Sequence, residues 1–332
     1  MMRSLQRAWL RRGWLAWLLR PLSVLFGALA SVRRLAYASG WLARHRLPVP
    51  VVVVGSVLVG GSGKTPVVMA LIEHLRARGI AAGVVSRGYG RTTSDCREVS
   101  IDSDPRQVGD EPLLVARACS VPVFVAGSRA QAARALLSAY PATRVIVCDD
   151  GLQHHALQRD IEICVFDDRG AGNGWLLPAG PLREPWPRPV DLVLRAGPAG
   201  DIDGFVVQRE LSNVARRSDG AIMELTQLRG EPVVAVAAIA RPEAFFEMLR
   251  QSGVQLSRTL ALPDHHDFAD IEQQLPTPCT LVCTEKDAAK LWRHRPDAWA
   301  VPLLLLIDKA FWPAFDRLLD PKLSSAHGSE TS

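Results

Sequence analysis

Valine-rich apolar runs alternate with amphipathic segments through the middle of the chain. Residues 50–55 ("PVVVVG") are almost wholly apolar, as expected of a parallel strand buried on both faces. Similar runs at 82–86, 121–126, 144–149, 161–167 and 191–195 predict further strands. After the first of them, "PVVMALIEHLRAR" (66–78) reads as a helix, with Pro66 in its first turn and Gly79 at its end. This alternation predicts a doubly wound parallel α/β sheet over residues 47–207. A polar stretch, 208–232, breaks the pattern and reads as a linker with a hairpin. Strands near 233–239, 280–284 and 301–307, with a helix at 241–252, predict a second, smaller α/β unit over 233–320. Residues 321–332 are expected to be a disordered tail.

The first 46 residues follow a different pattern. "GWLAWLLRPLSVLFGALASV" (13–32) is apolar for twenty residues, long enough to cross a bilayer. Arg20 near its centre costs roughly 2.5–3.5 kcal/mol on insertion scales, and Pro21 follows it. Arg3, Arg7 and Arg11 form a basic helical stripe, while Trp9, Trp14 and Trp17 suit a headgroup boundary. A helix lying in, or dipping into, an anionic leaflet fits these features better than a span or a cleaved signal peptide.

Charge sharpens that contrast. The chain of 332 residues carries a net charge of +5, yet residues 1–46 hold nine arginines and no acid, and the first acidic residue is Glu73. The rest therefore carries 30 basic against 34 acidic residues. Six cysteines (96, 119, 148, 164, 279, 283) lie scattered, without a CxxC pair, which argues against a zinc site or a disulfide framework and for free thiols in a reducing compartment.

Between the first strand and its helix lies "LVGGSGKT", Leu58, Val59, Gly60, Gly61, Ser62, Gly63, Lys64 and Thr65. Such a turn lets backbone N–H groups converge on phosphate oxygens at a helix N-terminus, with Lys64 reaching the β/γ-phosphates of ATP and the Thr65 hydroxyl holding Mg²⁺. The usual first glycine of this loop is replaced by Leu58, so Gly60 and Gly61 are expected to supply the freedom. Val59 stands where membrane-bound partitioning ATPases carry a second lysine. "TRVIVCDDGLQHH" (143–155) ends a strand in Asp149 and Asp150, a position suited to Mg²⁺, and "IEICVFDD" (161–168) offers the same form. Asp110 and Glu111 open a helix in "VGDEPLLVARA", where they serve either as first-turn acids or in chemistry. "TEKD" (284–287) lacks one residue of the guanine-reading T/N-K-x-D of GTPases.

In order, "VGGSGKTP", "SRGYGR", "GDEPLL", "DDGLQHH", "LLPAGPLREP", "PDHHDF" and "TEKDAAKL" resemble the tetraacyldisaccharide 4′-kinase family of lipid A biosynthesis, over about residues 15–310. Ser56 and Leu58 depart from the family pattern. The resemblance implies ATP-dependent phosphorylation of the 4′-hydroxyl of a tetraacylated disaccharide 1-phosphate at the cytoplasmic face of the bacterial inner membrane. Asp110 and one of the paired histidines, taken as His265, are then the proton-accepting dyad. Lys64, Asp150 and Glu184 complete the catalytic set, and Thr65 and Asp149 hold the metal. Arg87, Tyr89, Gln153, His154 and Arg183 contact substrate or nucleotide. The partners implied are a membrane-embedded glycolipid and an anionic leaflet; nothing points to nucleic acid or an obligate protein partner. The alternative is a membrane-peripheral P-loop ATPase with no small-molecule acceptor.

Overall fold

The computed structural model describes residues 9–61, 63–197, 202–264, 266–276 and 278–327. A short helix α1 (Trp14–Leu18) and a 19-residue helix α2 (Arg20–Ala38) precede the first strand. The core then alternates as β1 (Val51–Gly55), α3 (Lys64–Ala77), β2 (Ala82–Ser86), β3 (Arg97–Glu98), α4 (Pro105–Val108), α5 (Asp110–Cys119), β4 (Val123–Val125), α6 (Arg129–Ala139), β5 (Val145–Asp149), β6 (Ile161–Phe166) and β7 (Leu192–Ala196). There follow β8 (Phe205–Leu211), β9 (Val214–Arg216), β10 (Ile222–Glu224), β11 (Val233–Ala237), α7 (Pro242–Gln251), β12 (Leu256–Ala261) and α8 (Ile271–Gln274). The chain ends with β13 (Thr280–Thr284), α9 (Glu285–Leu291), β14 (Trp299–Val301), β15 (Leu303–Ile307) and α10 (Phe311–His327).

Nine strands form the larger sheet in the order β15-β8-β7-β6-β1-β5-β2-β4-β3. All its pairings are parallel except those of the two edge strands, β3 with β4 and β15 with β8. β1 is central, with every residue buried, and its register places Val54 beside Asp149 on one side and Ile163 on the other. The glycine loop therefore emerges between the carboxyl ends of β5 and β6, where open α/β sheets bind ligands. The smaller sheet, β10-β9-β14-β13-β11-β12, has a parallel centre with an antiparallel β9–β10 hairpin at one edge.

The stretch 208–232 is not a simple linker. Residues 208–211 complete β8, whose inward Val207 and Leu211 are buried while Gln208 and Glu210 face out. The hairpin follows within 214–224. Likewise the chain after residue 302 does not stay with the second unit: β15 returns to pair with β8, and α10 packs on the first. The cause is a stripe at helical spacing, Phe311, Phe315, Leu319 and Leu323, that fits against Leu71 and Leu75 of α3. His74 stacks on Trp312 at 4.4 Å, and Asp316 accepts from His74 and Arg78. The expected disordered tail is thus helical as far as His327, with Pro321 inside the helix, and residues 328–332 lie outside the described part. Truncating fully buried Phe315 to alanine is expected to cost about 3–5 kcal/mol, read as a lowered thermal midpoint.

At the N-terminus the apolar segment is broken at Leu19, with Pro21 in the first turn of α2, and the helix runs past Arg33 and Arg34 to Ala38. No described helix is long and apolar enough to cross a membrane. The inner face of α1–α2 is small. Ala16 and Ser23 are buried, Ser23 Oγ donates to Leu176 O at 2.8 Å, and a Cβ on Gly27 would meet Leu176 at 2.7 Å. Trp175 is held between the Arg12 and Arg20 guanidinium groups and the edge of Trp17. Outward, Leu18, Leu22, Leu25, Leu29 and Val32 form one exposed stripe at i, i+4, i+7, i+11 and i+14, joined by Trp14 and Trp17. Arg3 and Arg7 lie outside the described residues.

Candidate active site

The loop after β1 is tied down before it reaches the phosphate turn. Ser56 Oγ accepts from Leu58 N at 3.0 Å, Arg183 N donates to Val57 O at 2.6 Å, and Val59 N donates to Pro181 O at 2.9 Å. The Leu58 side chain is fully buried in the core, which accounts for an apolar residue where a glycine is usual; Gly60 takes the left-handed conformation instead, at φ 99°. Gly63, the N-cap of α3, has φ 80°. A side chain there would also collide with the Arg209 guanidinium from β8. Ser62 lies outside the described residues.

Lys64 and Thr65 open α3 and are both buried. Lys64 Nζ stands 3.5 Å from Asp150 Oδ1, longer than a tight charge-assisted hydrogen bond, and Asp150 takes a second cation, Arg183, at 3.0 Å. The ammonium thus keeps hydrogens for an incoming anion. Burial opposes the Asp150 charge, but Lys64 and Arg183 outweigh it and hold the carboxyl below its usual range. Asp150 also has φ 48°, an unusual backbone for a residue with a side chain.

Asp149 is the contrasting partner. It is 1 % exposed, its Oδ1 has no hydrogen-bond partner, and burial, with Glu111 and Asp150 adding repulsion, pushes its carboxyl up to about 7. Lys64 and Arg129 offset this only in part. A metal beside Thr65 would add a further cation, and a single protein carboxylate with a hydroxyl suffices for Mg²⁺ on a nucleotide. The rival pair after β6 is spent elsewhere: Asp167 is bidentate to Arg169, and Asp168 pairs with Arg241. No group of three or more metal-ligating side chains occurs among the described residues.

Asp110 enters the site by a close backbone approach. Gly109 has φ 92°, and a Cβ on it would lie 3.0 Å from Cα of Gly88 in the "SRGYG" loop. That contact seats the N-terminus of α5 against the loop bearing Tyr89. Tyr89, Asp110, Arg106, Asp267 and Lys290 line a cleft of about 120 Å³ between the two units. A larger groove of about 580 Å³ lies near Tyr140 and Arg76, away from the phosphate loop. Arg87 and Tyr89 are exposed on that loop. His265 lies outside the described residues; neighbouring His266 turns inward, its Nδ1 accepting from Phe268 N at 2.9 Å.

The remaining expected residues serve two layers. Gln153 donates to Ser56 O and accepts from Arg183, so it joins the loop after β5 to the one after β1. His154 beside it is half-buried; desolvation, with Arg129 and Arg159, pushes its imidazole down to about 4, so it is neutral at physiological pH. Glu184 is buried beside Arg188 at 3.2 Å, and burial raises its carboxyl above the ordinary value.

Three arginines escape a sequence reading. Arg129 is buried at the first position of α6, donates to Asp150 O at 2.9 Å and bears on both aspartates. A cation in the first turn of a helix opposes the helix dipole, and that anomaly in "GSRAQ" is the signal that marks it. Arg169 donates to Val59 O at 3.3 Å, and Arg209 abuts Gly63. Neither carries a comparable signal, and Arg209 falls in the stretch that reads as a linker.

A buried parallel sheet, a left-handed glycine at a helix N-terminus, a lysine and a strand-tip aspartate define a P-loop nucleotide-binding protein. The family model described as Tetraacyldisaccharide-1-P 4′-kinase matches residues 15–323, and the chain belongs to that family. A protein named tetraacyldisaccharide 4′-kinase from Acidovorax sp. (strain JS42) is 58 % identical over 97 % of this chain and 96 % of its own length. One of the same name from Polaromonas sp. (strain JS666 / ATCC BAA-500) is 54 % identical over 98 % and 100 %. A crystal structure of LpxK from Aquifex aeolicus in complex with ATP superimposes with a TM-score of 0.79 at 27 % identity, covering 92 % of this chain and 99 % of that one.

Proposed function

We propose that this chain is an ATP-dependent kinase that moves the γ-phosphoryl group onto the 4′-hydroxyl of a tetraacylated glucosamine disaccharide 1-phosphate. The observation that carries the reading is the facing of Lys64 and Asp150 at the phosphate loop, with Asp110 opening the helix α5 that packs on α3, in a chain of this family. The backbone of residues 58–63 cradles the triphosphate. Lys64 meets the charge that develops on the transferring group, where fixed positive charge in a dry site acts most strongly. Thr65 and Asp149 would hold Mg²⁺, which when bound neutralises the β- and γ-phosphates. The 4′-oxygen forms its bond to phosphorus as the bond to the β-phosphate oxygen breaks, and the hydroxyl proton passes to Asp110, assisted by His265. Arg183 and Gln153 fix Asp150, and Arg87 and Tyr89 are offered to the sugar.

The exposed stripe on α2, flanked by Arg20, Arg33 and Arg34, supports docking at the cytoplasmic surface of an anionic membrane. The acyl chains then stay in the bilayer while the head group reaches the loop. Replacing Leu25 and Leu29 together by glutamate is expected to lower pelleting with anionic vesicles at least tenfold; unchanged pelleting would remove α2 as the docking element.

The test of the reading is ADP formation in detergent micelles with and without the tetraacylated acceptor. Acceptor-dependent turnover supports it. Turnover at the same rate without acceptor favours an ATPase.

A further inference from the structure

The "TEKD" stretch has a local structural role. Thr284 Oγ1 caps α9 by accepting from Asp287 N at 3.2 Å and donates to Asp287 Oδ2 at 2.6 Å. That carboxylate also accepts from Ala238 N at 3.0 Å, at the end of β11. The N-terminus of α9 is therefore fastened to the second sheet. Burial raises the Asp287 carboxyl to about 6, against these hydrogen bonds.

What α9 does with that rigidity is visible on its other face. Lys286 and Lys290, four residues apart, point the same way across the cleft. Lys286 Nζ lies 3.4 Å from Glu111 Oε1 and 3.7 Å from Asp264 Oδ1. Lys290 Nζ lies 2.8 Å from Asp110 Oδ2, with side chains only 12 % and 6 % exposed. One turn further on, Arg293 meets Asp104 at 3.1 Å. Three cations of the second unit thus face three acids of the first, and the best-buried pair falls on the proposed proton acceptor.

We infer that Lys290 is a positioning residue for phosphoryl transfer: it fixes the Asp110 carboxylate in the cleft and supplies the charge that lets this acid stay ionised there. The inference rests on the reading of Asp110 given above. Asp110 and Glu111 sit side by side in the same region as Asp149, and an incoming triphosphate adds more negative charge. A buried carboxylate in that setting tends toward its neutral form, which cannot take a proton. An ammonium at 2.8 Å reverses the tendency. Because it is borne by the second unit, the acid is oriented only when the two units face each other, so closure and the readiness of the base are one event.

Among the described residues, the charged groups around Asp110 include Lys286, Lys290 and Asp287 from α9, with Asp264 on Lys286, and Arg106 from α4 and Asp267 from the segment after β12 lining the same cleft; Glu111 adjoins it on α5 and Tyr89 lines the cleft from its loop. Lys290 Nζ donates directly to Asp110 Oδ2. Its removal is therefore expected to show in the titration of the acid that limits kcat at low pH.

The experiment measures kcat against pH in the micelle assay for Lys290→Met, Lys290→Arg, Asp110→Asn and the double variant Lys290→Met/Asp110→Asn, each checked for a native-like thermal transition. Lys290→Met should lose about 100-fold in kcat and move the acid limb upward by about one pH unit, since a carboxylate beside a cation sits one to three units low. Lys290→Arg, which keeps the charge, should keep the limb in place even if it folds less well. The double variant should be no slower than Asp110→Asn, because the lysine acts through that acid. An unmoved limb in folded Lys290→Met, or losses that multiply in the double variant, would overturn the inference. Wild-type kcat in Asp110→Asn would instead overturn the reading of Asp110 itself.

Discussion

Replacing Lys64 by alanine is expected to lower phosphoryl transfer by about 1,000-fold, the scale on which preorganised charge at a transferring phosphoryl group acts. The loss should fall on kcat more than on stability. Among the described residues Lys64 pairs with Asp150 at 3.5 Å, and Asp150 keeps Arg183 at 3.0 Å and the support of Arg129, so no buried charge is stranded. The thermal midpoint should accordingly shift by only a few degrees. A variant that folds normally and transfers phosphate at the wild-type rate would show that the loop is not used as described.

The second large effect belongs to Asp110→Asn. A positioned proton acceptor contributes about 10²–10⁴-fold, and the amide cannot take the hydroxyl proton. The binding of ATP should change little, because the phosphate loop and Asp110 stand on different elements, α3 and α5, which share apolar core packing through residues such as Leu71 and Leu113. Equilibrium binding of ATP and single-turnover transfer, measured on the same sample, separate the two. Loss of both together would mean that Asp110 holds the fold or the nucleotide rather than the acceptor.

The sequence carries the centre of this site more clearly than its surroundings. The run 50–65 declares strand, turn and helix because valines, glycines and a first-turn proline each allow few alternatives. Position alone does not decide between Asp149–Asp150 and Asp167–Asp168, and only the family resemblance favoured the first pair, since both pairs end strands that flank β1 and the difference lies in their partners. Partners are supplied by residues distant in the chain, such as Arg183 and Arg241. The same reason hides Arg209, which reaches Gly63 only because β8 joins the larger sheet. The C-terminal return was also hidden: the stripe Phe311, Phe315, Leu319 is plain as a pattern, but which core it covers is decided by the pairing of β15 with β8. At the other end, the arginine-rich prefix announced an interface, while its small inner face became apparent only against the loop 173–184.

The most direct test of the account is the chemical identity of the product. Wild-type protein incubated with ATP, Mg²⁺ and the tetraacylated disaccharide 1-phosphate should give a lipid heavier by one phosphate, with a second phosphomonoester resonance at the 4′-position in ³¹P spectra. Formation of ADP and inorganic phosphate with the lipid left unchanged would contradict it.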